Sequence, residues 1–556
     1  MRMKLYDFKN FKGDLSGGVV AGIVALPLAL AFGVQSGMGA IAGLYGAIAL
    51  GILAAALGGT QTQASGPTGP MTVVSATFIA IAIGLAGSLE NAMGIIVATF
   101  VLGGLFQIFF GLINIGSYIK YFPYPVISGF MSGVGLIIIL LQIFPFAGLT
   151  APSSTVGVIK DFPRLISELN IAAIGIGGIT VLIFYLFPRI TKAIPSALVA
   201  LLVASFAAYL FKLEVPLIGD IPTGLPSLKI EGLFNIDPAA YVIIVEYAFL
   251  LAVLGSIDSL LTSVIADNIT KTKHNSNREL IGQGIGNAVA GLIGGIPGAG
   301  ATKGTVVNIN SGGKTRLSGV IHGLFLLVVL LGAGKYAAYI PIPVLAGILI
   351  PVGLNIIDAK GLKHLLIVPR SDAFVLVLVL LITTFGNLIY AVAIGVILAS
   401  VLFMKRSGDI AEKGTSGSTL ADFKGEQPWD DERKLFDEFK NSIYVKHLYG
   451  PLFFGFTSHF LKLFKNLDGG IKVLIIRMDR VPYIDQTGLY AMEETLFDLR
   501  KKGLQVIIIG LQSQPRHMFQ SIDIIPDLIP EEHIFETIES GFAWLKDTIV
   551  RNRAEQ

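Results

Sequence analysis

Apolar residues run in long blocks up to about residue 405, and beyond about residue 442 they shrink to short alternating runs. The first pattern predicts membrane-spanning helices, because about 17 to 25 apolar residues in a row cross a bilayer. Fourteen such runs centre near residues 25, 48, 76, 102, 135, 180, 202, 253, 285, 307, 326, 349, 378 and 395. Those near 76, 285 and 307 are short or glycine-rich. The second pattern predicts a small α/β domain. Its strands are read in SIYVKHLYGPLFFG from Ser442, in IKVLIIRM from Ile471 and in VIIIGL from Val506. An amphipathic helix, TGLYAMEETLFDLRKKG, lies between the last two, with Gly503 placed to end it. The expected organisation is a cytoplasmic segment 1–13, a transmembrane domain 14–405, a linker 406–434 and a tail domain 435–556.

The apolar part also repeats itself. GSYIKYFPYPVISGFMSGVGLIII from Gly116 recurs as GKYAAYIPIPVLAGILIPVGLNII from Gly334, at a constant offset of 218 residues without a gap. Pro123, Pro125, Pro341 and Pro343 sit at the start of their helices, where a missing N–H costs nothing. The two copies fall on spans 5 and 12. Seven spans separate them, an odd number, so they cross in opposite directions. That predicts a seven-plus-seven inverted repeat with its binding site near the midplane.

Charge on the loops gives the orientation. With the basic N-terminus cytoplasmic, even-numbered spans leave the membrane beside Lys120, Arg189, Lys192, Lys271, Lys273, Arg278, Lys314, Arg316, Lys360, Lys363 and Arg370. The long opposite loop carries Glu214, Asp220, Glu231 and Asp237 against Lys212 and Lys229. This is the positive-inside pattern, with both termini cytoplasmic. Composition agrees with a polytopic membrane protein: 53% of residues are hydrophobic, 14% are charged, and the mean hydropathy is +0.73. Residues 1–405 carry a net +7 and the remainder −4, so the overall +3 does not suggest nucleic acid. No cysteine is present, which excludes disulfides and thiolate metal sites. The N-terminus shows no signal-peptide cleavage pattern.

Two segments interrupt their spans at corresponding places: ASGPTGPMTVV from Ala64 and GAGATKGTVV from Gly298. Broken helices place free backbone groups beside a cavity. Each segment here puts an extended piece before a short helix, so two helix N-termini face one another and form an anion site. Thr68 with Gly69, and Ala301 with Thr302, lie at these starts, where a hydroxyl can cap the helix or contact ligand. Glycines in such segments also serve close helix crossings. In span 8, Asp258 sits about 13 Å from the cytoplasmic end, counted from Asp267 at 1.5 Å per residue. An intramembrane carboxylate is read first as functional. Thr262, one turn on, shares its face, and the pair supplies hard oxygens for sodium. Proton coupling through Asp258 is the competing reading. Glu246 and Asp267 are read as interfacial. Gln107, Gln142 and Asn308 either line the path or pair within the bundle.

GPTGPMTVV, the Asp258 span, NSNRELIGQGIGN (Asn275–Asn287), GAGATKGTVVNINSGGKT (Gly298–Thr315) and the tail resemble the SulP anion transporters over essentially the whole chain. Within that family the chain is most similar to the BicA-type sodium-dependent bicarbonate transporters of cyanobacteria. The resemblance implies a mobile core of spans 1–4 and 8–11 and a gate of spans 5–7 and 12–14, alternating like an elevator. It implies sodium on Asp258, Thr262, Gly300 and Thr302, and bicarbonate near Thr68, Ala301 and Thr302. Lys303 departs from the BicA pattern, which has an apolar residue there. Its ammonium either faces the cavity and weakens sodium dependence or extends toward water.

Ile484-Asp485-Gln486-Thr487-Gly488 resembles the signature loop of STAS domains. Thr487 stands where a phosphorylated serine occurs in that family, and either accepts phosphate or caps the helix. The family implies homodimerisation and regulation. Catalysis finds no support: there is no H-E-x-x-H, no G-x-x-x-x-G-K-[ST], and of seven histidines only His322 lies near a span. No cofactor is expected beyond sodium as coupling ion. A proton-coupled sulfate or dicarboxylate transporter is the alternative. A membrane-anchored sensor would need no pair of symmetric broken helices.

Overall fold

The structure is a computed structural model, describing residues 10–118, 122–191, 194–219, 226–234, 236–414, 416–419, 443–453 and 473–554. Lys120, Lys192 and Asp220 lie outside the described residues. The chain divides into two compact units, 1–399 and 400–556.

Among the described residues, fourteen helices coincide with the fourteen apolar runs. They are α1 Phe11–Gln35, α2 Ala40–Leu57, α3 Gly69–Ala86, α4 Leu89–Leu112, α5 Tyr124–Phe146, α6 Ile171–Ile190 and α7 Ser196–Leu210 in the first half. The second half holds α8 Tyr241–Thr270, α9 Ser276–Leu292, α10 Thr302–Asn310, α11 Arg316–Ala337, α12 Ile342–Ile356, α13 Arg370–Phe385 and α14 Leu388–Gly414. Pro123 and Pro341 occupy the N-cap positions of α5 and α12, so the two repeat copies start their helices in the same way.

The helices sort into two packed groups. α1–α4 pack with α8–α11, most extensively α4 against α9 and α1 and α2 against α11. α5 packs on α12 and α13, while α6 and α7 pack on each other and on α12. Gly395 brings α14 against Val379 of α13 and Val126 of α5. Small residues allow the close crossings. A Cβ on Gly43 of α2 would stand 1.8 Å from the Ala29 carbonyl oxygen of α1, and one on Gly104 of α4 would stand 2.5 Å from that of Gly284 in α9.

In the second unit a five-stranded sheet runs in the order β3 (Ser416–Thr419), β4 (Ile443–Tyr449), β5 (Val473–Arg480), β6 (Gln505–Ile509), β7 (Ile534–Phe535). β3 is antiparallel to β4 and the remaining pairs are parallel. Both faces are covered, as near-continuous apolar strands require. Leu474, Ile476 and Ile508 cluster with Leu489, Met492 and Leu496 of α15 (Gln486–Lys501). Ile475 and Ile507 face Phe542 and Leu545 of α17 (Ile538–Ala554), which follows α16 (Ser513–Ser521). Gly503 ends α15 in the left-handed region (φ 74°), its N–H donating to Arg500.

Two expectations are corrected. The stretch 406–434 does not begin as a linker: α14 continues to Gly414, and Ser416–Thr419 is a strand. Arg406, Ala411, Glu412 and Lys413 are good helix formers, so the helix outlasts its apolar part; residues 420–434 lie outside the described residues. The cap of α15 is Asp485, whose carboxylate accepts the Gly488 N–H at 2.7 Å, and Thr487 stands exposed inside the first turn. Asp485 is the residue before the first helical one, where a short acceptor reaches the free N–H groups.

Candidate functional site

The candidate site lies where spans 3 and 10 break. After α2 the chain runs extended through β1 (Ser65–Gly66) to Thr68, the N-cap of α3. After α9 it turns at Gly294 (φ 74°) and runs through β2 (Ala299–Gly300) to Ala301, the N-cap of α10. The two extended pieces pair with each other, antiparallel, Ser65 opposite Gly300 and Gly66 opposite Ala299. The Ala301 N–H donates to the Ala64 carbonyl at 2.8 Å, and Thr305 Oγ1 accepts the Ala64 N–H at 3.1 Å. The crossing is tight enough to demand glycine: a Cβ on Gly298 would stand 2.0 Å from the Gly66 carbonyl oxygen. α3 and α10 therefore both begin at one crossing, and the first-turn N–H groups of each have no helical acceptor.

Thr68, Gly69, Ala301 and Thr302 are thus brought together at two helix starts. Neither threonine caps its helix by its side chain. Thr68 Oγ1 is buried beside Asp258, one of whose carboxylate oxygens is buried and unpartnered. Asp258 opens on a small cavity of about 30 Å³ whose other walls are apolar, among them Pro70, Phe122, Val126, Phe130 and Val392. One turn further along α8, Thr262 Oγ1 donates to the Gly300 carbonyl at 2.9 Å and lies 2.8 Å from Thr302 Oγ1. Ser259 Oγ accepts the Gly300 N–H at 3.1 Å. Three of the four predicted cation ligands are in direct contact, and the fourth sits one helical turn away.

Thr302 and Lys303 also line a larger cavity of about 630 Å³, walled by Val20 and Val24 of α1, Phe184 of α6, Ser196 of α7 and Val352 of α12. It lies between the two helix groups of the transmembrane unit. Lys303 is exposed there and is the ionisable residue among those lining it. A third cavity, about 360 Å³, opens near the C-terminal ends of α1 and α5, where Gln35 and Gln142 line it. Of the three polar residues read as ambiguous, Gln142 lines this cavity. Gln107 accepts from Asn287 at 2.7 Å, and Asn308 donates to the Thr62 carbonyl and to Ser318 Oγ, so those two pair within the bundle.

Two buried carboxylates escaped the sequence reading. Asp14, in the first turn of α1, accepts the N–H groups of Lys314 and Thr315 and the Thr315 hydroxyl, tying α1 to the start of α11. Glu279 lies 1% exposed on α9 and accepts four N–H donors. The legible signal for Glu279 was the spacing of Glu279, Gln283 and Asn287, polar residues four apart on one helical face.

Comparison with known proteins matches residues 11–379 to the sulfate permease family and residues 437–541 to the STAS domain. The chain is 39% identical over 539 residues to the bicarbonate transporter BicA of Picosynechococcus, covering 96% of this chain and 94% of that protein. The solved transmembrane domain of a cyanobacterial BicA superposes with a TM-score of 0.64 at 44% identity, over 71% of this chain and 98% of that one. The structure of SLC26A9, 20% identical, shares the fold with a TM-score of 0.83 over 99% of this chain and 92% of its own. The chain belongs to the sulfate permease family, a family of transporters rather than enzymes, as a multi-pass secondary transporter of small anions with a C-terminal STAS domain.

Proposed function

We propose that the protein couples sodium entry to bicarbonate uptake across the plasma membrane. The observation that carries this reading is the contact of Thr262 Oγ1 with the Gly300 carbonyl and Thr302 Oγ1 at the start of α10. Hydroxyl and carbonyl oxygens are hard ligands of the kind alkali cations take. Asp258, one turn away, supplies the negative charge that a bound sodium balances. The first-turn N–H groups of α3 and α10, with the Thr68 hydroxyl, receive the anion at the positive ends of two helix dipoles. Sodium beside them adds positive charge, so each ion favours the other's binding. Bicarbonate is preferred because the chain is so similar to proteins named as bicarbonate transporters.

In this reading α1–α4 and α8–α11 form a mobile core that carries the site past a gate of α5–α7 and α12–α14. The 630 Å³ cavity between the two groups is the cytoplasmic way out. Both termini are cytoplasmic, the gate faces membrane lipid, and the protein dimerises through the gate and the STAS domain, with Thr487 open to phosphorylation. Lys303 favours one variation: an ammonium in that cavity takes over part of the cation's charge and lowers sodium dependence. Uptake of labelled bicarbonate and sulfate into proteoliposomes, with and without a sodium gradient, tests the proposal. Sodium-driven bicarbonate uptake is expected. Sulfate uptake driven by protons and indifferent to sodium would overturn it in favour of a proton-coupled sulfate carrier.

A further inference from the structure

Helix α9 presents Glu279, Gln283 and Asn287 on one face, and all three are buried. Glu279 Oε2 accepts the N–H groups of Gly59 and Thr60, both at 2.8 Å. Its Oε1 accepts Gln63 Nε2 at 2.9 Å and Gln283 Nε2 at 2.8 Å. Gln283 Nε2 lies also 2.6 Å from Ser65 Oγ in β1. Asn287 holds Gly298, just before β2, through both its N–H (2.8 Å) and its carbonyl (3.0 Å). One face of one helix therefore grips both crossing segments. The described partners of the Glu279 carboxylate are N–H donors, with no basic side chain among them. A buried carboxylate is tolerable when several donors satisfy it in this way.

The grip reaches the cation ligands through Gln63. An ionised carboxylate accepts only, so it fixes the Gln63 amide with its NH₂ toward Glu279 and its oxygen the other way. That oxygen accepts the Ser263 hydroxyl at 2.8 Å, and Ser263 follows Thr262 on α8. Gly300 packs directly on the same amide: a Cβ there would stand 2.2 Å from Gln63 Nε2. The N–H and carbonyl of Gly300 are held in turn by Ser259 and Thr262. We propose that Glu279 is a positioning residue for the coupling cation: through Gln63 it sets where the Gly300 carbonyl stands against Thr262 and Thr302. The inference rests on the sodium reading of that oxygen cluster.

The test uses full-length protein carrying Glu279→Gln, and in parallel Gln63→Leu, which leaves Glu279 three of its donors. A glutamine at 279 turns half of the acceptor into a donor and confronts N–H groups with an N–H. Two quantities are read: half-saturating sodium for bicarbonate uptake in proteoliposomes, and sodium-dependent thermal stabilisation of the purified protein. Loss of one or two hydrogen bonds predicts a rise of roughly tenfold in half-saturating sodium for both variants. The bicarbonate KM at saturating sodium should move less. Glu279→Asp should recover part of the shift. A merely structural role would lower yield and maximal rate while leaving the sodium midpoint in place, and that result overturns the proposal. If Glu279→Gln fails to fold, Gln63→Leu decides by the same criterion. A wild-type protein indifferent to sodium overturns the functional reading itself, whereas a sodium-dependent wild type with unmoved variants overturns only the role of Glu279.

Discussion

Thr262 and Gly300 meet across 38 residues of sequence, the Thr262 hydroxyl donating to the Gly300 carbonyl at 2.9 Å. Because Thr302 Oγ1 stands 2.8 Å from the same hydroxyl, one side chain of α8 gathers the oxygens of the β2–α10 junction. Thr262→Val keeps the shape and removes the oxygen. A cation held there loses one ligand, and the Gly300 carbonyl loses its donor. Half-saturating sodium in the uptake assay should rise about tenfold or more, in line with one to two hydrogen-bond equivalents. An unchanged sodium titration would remove Thr262 from the site.

Asp258→Asn addresses the charge instead of the geometry. The two side chains are nearly the same size, and one carboxylate oxygen has no hydrogen-bond partner to lose. The variant should therefore fold and insert as the parent does. Sodium-dependent uptake should fall to background, because no negative charge remains to balance the ion. Retained sodium dependence, measured against a choline-substituted buffer, would exclude Asp258 as the coupling carboxylate.

Gly298→Ala probes the crossing of the two broken spans. The new methyl would lie 2.0 Å from the Gly66 carbonyl oxygen and 2.4 Å from its carbon, both backbone atoms that cannot rotate away. A destabilisation of about 1–3 kcal/mol or more is expected from such overpacking. It would be read as a lower melting temperature in detergent together with lost uptake. Gly84→Ala in α3 is the control, since a Cβ there meets nothing within 4 Å.

The helices and the breaks were legible because each leaves a local signature: a long apolar run, or a Gly/Pro interruption occurring twice. The pairing of Ser65 with Gly300 was not, since two-residue strands carry no alternation and their partners lie 235 residues apart. Glu279 was missed for a related reason. It reads as one polar residue among several in NSNRELIGQGIGN, and what buries it is the segment from Gly59 to Gln63, more than 200 residues earlier. The cap of α15 failed differently. Both Asp485 and Thr487 have capping side chains, and only the backbone, extended at Asp485 and already helical at Thr487, decides between them.

Asp358 follows α12 and accepts the hydroxyls of Tyr124 and Ser128, each at 2.5 Å, and the Gly361 N–H at 3.0 Å. Burial pushes its carboxyl up, but the bonds from Ser128, Tyr124 and the backbone of Gly361 and Lys360 outweigh it and hold the group below the usual carboxylate range. A carboxyl lowered by folding contributes stability that is complete above its unfolded pKa and lost as pH falls through the folded one. Asp358→Asn should thus lower the melting temperature at neutral pH, and the difference from the parent should close below about pH 4. A gap that persists at acid pH would show that the anchor of α5 to the α12–α13 connection does not depend on the charge.

On the proposed sodium coupling, Lys303 is the residue that tests how far sodium alone would supply positive charge beside the anion. Its side chain stands in the 630 Å³ cavity next to Thr302, with otherwise uncharged walls. If the anion binds at the start of α10, an ammonium so placed attracts it with or without sodium, and the advantage conferred by sodium is then smaller than it would be without the lysine. Lys303→Met removes the charge and keeps a long unbranched chain. Uptake without sodium should then fall several-fold while uptake at saturating sodium changes little, so that the ratio of the two rises. Lys303→Arg should restore the parent ratio, because it restores charge without restoring shape. If Met and Arg variants titrate alike, the ammonium extends to water, and coupling belongs to the oxygen cluster and Asp258 alone.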